Sequence, residues 1–307
     1  MTTPALCQLL YLCDVIISRF RAEQKHVCDV DVAGVCKPYR RHVTMTSQRM
    51  IDSWVEGVAL FEDKVFVVCD QLDVISVYQK DSLELVGGIK VGGLQLANDL
   101  ICCCQSRQLY VADLGHCVWR VSVDDFRSKK WIPNKHAPED FNPLSLSVTS
   151  RPGQVLVTSY EGDSLSLYSG EGSLVTRVRL PSSSRARHAV QTLNDTYVVC
   201  RTLPRHDVIE VDSHGHVIRA CDAELNWPRR LALSVNGDVI ILDSGSNCML
   251  LVDGQLRLKR ILLSREEDGL KSLWRLSYTP DTGQLVVGEA WKIDSQSIGR
   301  VAVFRLI

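Results

Sequence analysis

The sequence contains no run of about 20 apolar residues, the length needed for a membrane-spanning helix. It also lacks a charge surplus. Thirty-five Lys and Arg face 36 Asp and Glu, a net charge of −1, so attraction to nucleic acid or a membrane has to come from a local patch. Cysteine is plentiful at 12, yet no two are spaced C-x-x-C, which excludes the paired ligands of zinc-finger and RING modules. No Lys or Arg precedes the apolar run at 5–12, and Asp14 follows it closely, so no signal peptide is expected. The 307 residues are 45% hydrophobic and 23% charged, which excludes a mainly disordered chain and leaves ample material for a core. These absences point to a cytoplasmic protein with reduced thiols. Cys69, Cys102, Cys103, Cys104, Cys117, Cys200 and Cys248 fall in β-type runs, where cysteine behaves as a small hydrophobe.

What the sequence does contain is a repeat. Apolar runs closed by a polar residue recur at Phe66-Val-Val-Cys-Asp70, Leu109-Tyr-Val-Ala-Asp113, Val155-Leu-Val-Thr-Ser159, Tyr197-Val-Val-Cys-Arg201, Val239-Ile-Ile-Leu-Asp243 and Leu285-Val-Val-Gly-Glu289. Successive closing residues are 42 to 46 positions apart, so one supersecondary unit occurs six times. A weaker apolar run precedes each of these and an alternating run follows, as at 100–104 and 117–123 in the second copy. A fourth run, such as 174–180 or 216–220, completes the unit. Four short strands per unit fit a propeller blade, and no 3.6-residue period persists that would support helices. The expectation is an all-β, six-bladed β-propeller of four-stranded blades over 41–307, with a helical or irregular extension at 1–40.

The turn residues agree. Arg151-Pro-Gly-Gln154, Val235-Asn-Gly-Asp238 and Pro280-Asp-Thr-Gly283 each stand before a core run, where a tight hairpin is required. His214-Gly-His216 and Asp253-Gly-Gln255 mark a later hairpin of the blade, and the two histidines read as a solvated turn because no third metal ligand accompanies them. The sixth unit has only three strands, near 273–278, 285–288 and 301–305. The segment 42–47, with Val43 and Met45 taken to alternate outward, is expected to supply the fourth and shut the ring.

Leu109-Tyr-Val-Ala-Asp-Leu-Gly-His-Cys-Val-Trp-Arg-Val121 and Val239-Ile-Ile-Leu-Asp-Ser-Gly-Ser-Asn-Cys-Met-Leu-Leu-Val252 resemble NHL repeats, and the resemblance extends over roughly 42–307. The first unit matches in part, through Asp70 and Asp73 without the glycine, while Ser159 and Arg201 replace the aspartate in the third and fourth. Asp70, Asp113 and Asp243 are expected to accept hydrogen bonds from amides of the turn that follows each, a structural role. The resemblance implies a binding platform for proteins or single-stranded RNA, like the propellers of tripartite-motif ubiquitin ligases. Ligase activity itself is not expected. Propellers of similar shape include metal-dependent hydrolases and lyases, for which Asn98, Asp99 and His188 are the available axial side chains; they form no matching ligand set, so neither a catalytic residue nor a metal or other cofactor is expected.

At the N-terminus, Thr3 before Pro4 reads as a helix start, and Leu6, Leu9, Leu10, Cys13, Ile16, Ile17 and Phe20 share one helix side. His26, Cys28 and Cys36 match no zinc module, and Lys37, Arg40, Arg41 and His42 read as a solvated connector. One charge concentration stands out. Six arginines and a single acid, Asp195, lie between Arg177 and Arg205. Propeller topology places Arg185, Arg187 and His188 in a loop between blades three and four, and Arg201, Arg205 and His206 in a loop within blade four. Arg229 and Arg230 begin blade five, with Trp227 beside them as a stacking surface. This sector is the expected partner site, able to hold phosphates or a carboxylate-rich peptide through guanidinium forks. The competing expectation is that Glu139, Asp140, Asp222, Glu224, Glu266 and Glu267 neutralise it. The function expected is a non-catalytic scaffold for a protein or peptide, in a ubiquitin-ligase setting, with single-stranded RNA as the alternative ligand and a metal-dependent hydrolase or lyase as the second alternative.

Overall fold

The apolar runs of the repeat form strands buried on both faces, which is why they read as continuous rather than alternating. The computed structural model describes residues 43–306, apart from 115–116, 133–140, 152, 161, 182–183 and 204. The helix expected within 1–40, the connector at 37–42 and the acids Glu139 and Asp140 lie outside the described residues.

Before the first blade comes β1 (Val43–Ile51). Blade one is β2 (Val55–Phe61), β3 (Lys64–Cys69), β4 (Val74–Gln79) and β5 (Leu85–Lys90). Blade two follows as β6 (Ala97–Cys103), β7 (Gln108–Asp113), β8 (Cys117–Ser122) and β9 (Ser128–Ile132). The third consists of β10 (Pro143–Val148), β11 (Val155–Ser159), β12 (Ser164–Tyr168) and β13 (Leu174–Arg179). In the fourth are β14 (Arg185–Gln191), β15 (Tyr197–Leu203), β16 (Asp207–Val211) and β17 (Val217–Ala220). Blade five has β18 (Pro228–Leu233), β19 (Val239–Asp243), β20 (Cys248–Val252) and β21 (Leu258–Leu263). A single helical turn, α1 (Arg265–Asp268), leads to β22 (Leu273–Thr279), β23 (Gln284–Ile293) and β24 (Gln296–Leu306).

Each blade is an antiparallel four-stranded sheet in chain order, and the sixth has the order β1-β24-β23-β22. The ring is therefore shut by a strand from before the first blade, which covers the edge of β24. Val43, expected to face outward, is instead 5% exposed and packs with Phe304 and Leu285. The bulge between Met45 and Ser47 shifts the alternation of β1 beyond that point.

Six apolar clusters hold the blades together, each shared by two neighbours. Val68 and Ile75 of blade one meet Leu109 and Trp119 of blade two, and Val286 and Val303 of blade six meet Val58 and Val65 of blade one. Burying one such side chain contributes roughly 1.5–3 kcal/mol. The outermost strands carry the solvated faces, where Leu85, Val86, Leu174 and Val175 are exposed.

The turns take the conformations their residues favour. Gly237 and Gly283 have φ of 79° and 63°, and Gly237 donates to the Ser234 carbonyl at 3.1 Å. Gly215, between His214 and His216, has φ of 85°, and a Cβ there would collide with the Arg179 carbonyl of the preceding blade. The two histidines stack beside Asp212, whose carboxylate takes the His214 and His216 amides, so they belong to an exposed turn as expected.

Candidate functional site

Near the start of every inner strand the register slips by one residue. The slips fall between Val55 and Gly57, Ala97 and Asp99, Pro143 and Ser145, Ala186 and His188, Pro228 and Arg230, and Leu273 and Arg275. A bulge redirects the extra side chain out of the sheet alternation. The six extra residues are Glu56, Asn98, Leu144, Arg187, Arg229 and Trp274. Lying at equivalent positions of six blades, they form a ring at one end of the central channel. The residues next in line are Gly57, Asp99, Ser145, His188, Arg230 and Arg275.

Polar contacts tie this ring together across blades. Trp274 Nε1 donates to Glu56 Oε2 at 3.1 Å, and Asn98 Nδ2 donates to the Leu144 carbonyl at 2.5 Å. Arg275, 1% exposed, donates to the Glu56 carboxylate and carbonyl and, at 2.9 Å, to the Asn98 carbonyl. Arg230, 4% exposed, pairs with Asp99 at 3.2 Å, but its buried Nε has no hydrogen-bond partner. The Asp99 carboxylate also accepts the Leu100 and Leu146 amides at 3.0 and 2.8 Å. Arg229 lies over the Trp274 ring, 3.2 Å from its centroid. Burial and the neighbouring Arg275, Arg187 and Arg230 charges hold Arg229 well below the usual guanidinium range.

His188 shows how such a site stays ordered. Its Nδ1 accepts the Leu231 amide at 3.3 Å, and its Nε2 donates to the Leu146 carbonyl at 3.2 Å. That tautomer is neutral, and burial together with Arg230 and Arg275 pushes the imidazole well below its usual value. His188, Asn98 and Asp99 are thus engaged in holding neighbouring blades.

Several expectations about the arginine sector require correction. Arg185, Arg187 and His188 are not in a loop but on the inner strand β14, because that strand starts earlier than its polar residues suggested. Arg201 is on β15, 9% exposed, and forks onto Asp207 at 2.8 and 2.6 Å while also donating to Ser184. Arg205 and His206 do fall in the loop between β15 and β16, Arg205 exposed. His206 packs edge-on against Trp227 with ring centroids 4.6 Å apart, and Arg187 approaches the same indole at 6.0 Å. The arginines are partly neutralised, though not by those expected acids that the structure describes. Among the described residues Asp222, Glu224, Glu266 and Glu267 form no ion pair with them; Asp207 and Asp99 do so instead, with Arg201 and Arg230.

Two of the three aspartates also reach beyond the turn that follows them. Asp113 accepts the Gln95 and Leu96 amides at 3.2 and 2.9 Å, and Asp243 accepts those of Asn226 and Trp227 at 2.8 and 2.6 Å. Both therefore secure the loop that enters the inner strand, ahead of them in the chain, and Asp243 also accepts the Gly245 amide of the following turn at 3.3 Å, as expected. Glu289 does the same for Lys271 and Ser272 in blade six. In blade one the equivalent register position is Cys69, opposite Val55, so Asp70 stands one residue beyond it. Burial and Glu56 raise the Asp70 carboxyl. The described cysteines are free, but Cys104 departs from the small-hydrophobe expectation: it is exposed just past the end of β6, and the Cys102 thiol beside it holds it down to about 7.

Sequence reading missed Glu56, Trp274 and Arg275. Counting back 14 or 15 residues from each closing residue reaches the bulge in every blade, and that count is the signal that finds them.

A closed ring of six four-stranded sheets defines the class of this chain as a six-bladed β-propeller. The chain matches no family model and no curated protein. Among solved structures it is similar to the WD40 β-propeller domain of Doa1, at a TM-score of 0.59 and 16% identity, over 86% of this chain and 97% of that one. It is also similar to a protein of unknown function from Bacteroides caccae, at 0.58 and 14% identity, over 74% of this chain and 82% of the other. Likeness at such identities concerns the fold. Among the described residues no helix is long and apolar enough to cross a membrane.

Proposed function

We propose that the protein is a non-catalytic scaffold that binds a protein or peptide partner on the face where the inner strands begin. The observation carrying this reading is the arginine and tryptophan cluster at the channel mouth. Arg187 and His206 flank the half-buried Trp227 of the next blade, and Arg229 covers Trp274 of the blade after that. Aromatic and guanidinium side chains gathered in one partly desolvated place are the usual anchors of interaction surfaces. The NHL resemblance adds the setting of a ubiquitin ligase's substrate platform. Selection of a displayed random peptide library on the full chain tests the reading: enriched peptides should lose affinity at least tenfold on Trp227→Ala and keep it on Arg120→Ala at the opposite face. Peptides indifferent to Trp227→Ala, or no enrichment at all, would refute it.

Single-stranded RNA is the second reading of the same face, favoured by exposed Arg185 and Arg205, which stand within two residues of the Trp227 neighbours Arg187 and His206. Against it, Glu56, Asp99 and Asp207 interrupt the positive field. A random single-stranded RNA pool tests it, since binding through phosphates weakens steeply with salt.

A further inference from the structure

We infer that the mouth of the central channel is a carboxylate-binding site, in which Arg229 receives an acidic side chain of the partner peptide. This rests on the peptide-binding reading above and names what that face would recognise. Four arginines converge here, Arg187, Arg229, Arg230 and Arg275, against two acids, Glu56 and Asp99. The acids are already matched one to one, Glu56 with Arg275 and Asp99 with Arg230. Arg229 is left with a tryptophan face and, among the described residues, no hydrogen bond or ion pair. It is partly exposed, so a ligand reaches it from the solvent.

A guanidinium that is largely desolvated, stacked on an indole and surrounded by like charge is costly to keep without an anion. Arg187, Arg230 and Arg275 all raise the positive potential at its position. Trp274 fixes one flat side of the fork, leaving its edge of N–H donors for the ligand. One fork matches the two oxygens of one carboxylate, whereas a phosphate's charge and extra oxygens call for additional donors. RNA fits less well, because its phosphates follow a track while these charges meet at one point on the axis.

The library selection also tests this site through the sequences it returns. Enriched peptides should share Asp or Glu at one position. Changing that residue to its amide should cost about tenfold or more in affinity, the scale of a charge-assisted pair. Arg229→Gln should cost as much, and the two changes together no more than either alone. Arg229→Glu should recover binding to a peptide with Lys in place of the acid. Thermal melting checks that these variants fold, and Arg229→Lys serves if Arg229→Gln does not: it should retain the preference for acid over amide. Peptides that depend on Trp227 yet carry no fixed acid, or bind within twofold to Arg229→Gln, overturn this inference and leave the peptide-binding reading intact. A phosphoserine peptide binding tenfold tighter than its Glu twin overturns the carboxylate assignment. RNA bound in place of any peptide overturns both readings, as does failure to enrich any peptide.

Discussion

Arg275→Met isolates the ion pair that joins the last blade to the first. In the folded protein the guanidinium is 1% exposed and serves three carbonyls and one carboxylate: those of Glu56, Asn98 and Trp274, and the Glu56 side chain. Burial lowers its pKa to about 10, so it remains charged at neutral pH. Methionine fills much of the same volume but supplies no donor. Among the described residues, Glu56, 8% exposed, then keeps only Trp274 Nε1 as a hydrogen-bond partner of its side chain. Removing one member of a buried pair costs about 3–5 kcal/mol. At roughly 2–4 °C per kcal/mol for a domain of this size, the melting temperature should fall by about 6–20 °C. Glu56→Leu with Arg275→Met removes both charges and should recover at least about half of that loss, since an apolar pair of similar volume is often neutral. Circular dichroism melting and urea unfolding of the four proteins provide the double-mutant cycle. If Arg275→Met lies within about 1 kcal/mol of the parent, or the double variant costs the sum of the singles, the pair does not couple these blades.

Three further outcomes follow from other contacts. His188 is held neutral when folded and takes up a proton near pH 6.5 when unfolded, so its depressed pKa makes stability fall as pH drops below about 6.5, by up to about 1.4 kcal/mol per unit. His188→Gln, measured by urea unfolding between pH 7.5 and 5, should flatten that slope; an unchanged slope would assign it to other groups. Asp243→Ala should cost about 2–3 kcal/mol by leaving the Asn226 and Trp227 amides unpaired, whereas Asp70→Asn should change stability by less than about 0.5 kcal/mol or raise it, and equal effects in urea unfolding would sink the register argument. Gly215→Ala should lower stability by about 1–3 kcal/mol, through its left-handed backbone and the Arg179 carbonyl, and a variant that melts like the parent would refute the close approach.

The blade count, the hairpins and the closing strand were legible because each rests on a short-range pattern: an apolar run, a turn pair, a spacing. The channel ring was not, because it depends on a register slip that no propensity signals, and on contacts such as Arg275 to Glu56, which are 219 positions apart. Arg201 illustrates the opposite error. Its place in a run of arginines suggested a free surface charge, but its partner Asp207 is only six residues on and consumes it. The aspartates were recognised as structural, but only part of their reach was legible: local Asx-turn chemistry points forward along the chain, as Asp243 does to Gly245, while the fold also brings the preceding interblade loop within reach.

The seal between β1 and β24 also has a bearing on how the protein is made. Residues 43–51 leave the ribosome some 250 positions ahead of the strand they pair with, and through all of synthesis β24's future neighbour has no legitimate partner. Until residue 306 emerges, the assembling arc presents two raw sheet margins, each a template for a neighbouring chain. Relocating the chain's opening to the linker between two blades would let every sheet complete itself in order of synthesis, and such a permuted chain should refold faster and aggregate less than the parent.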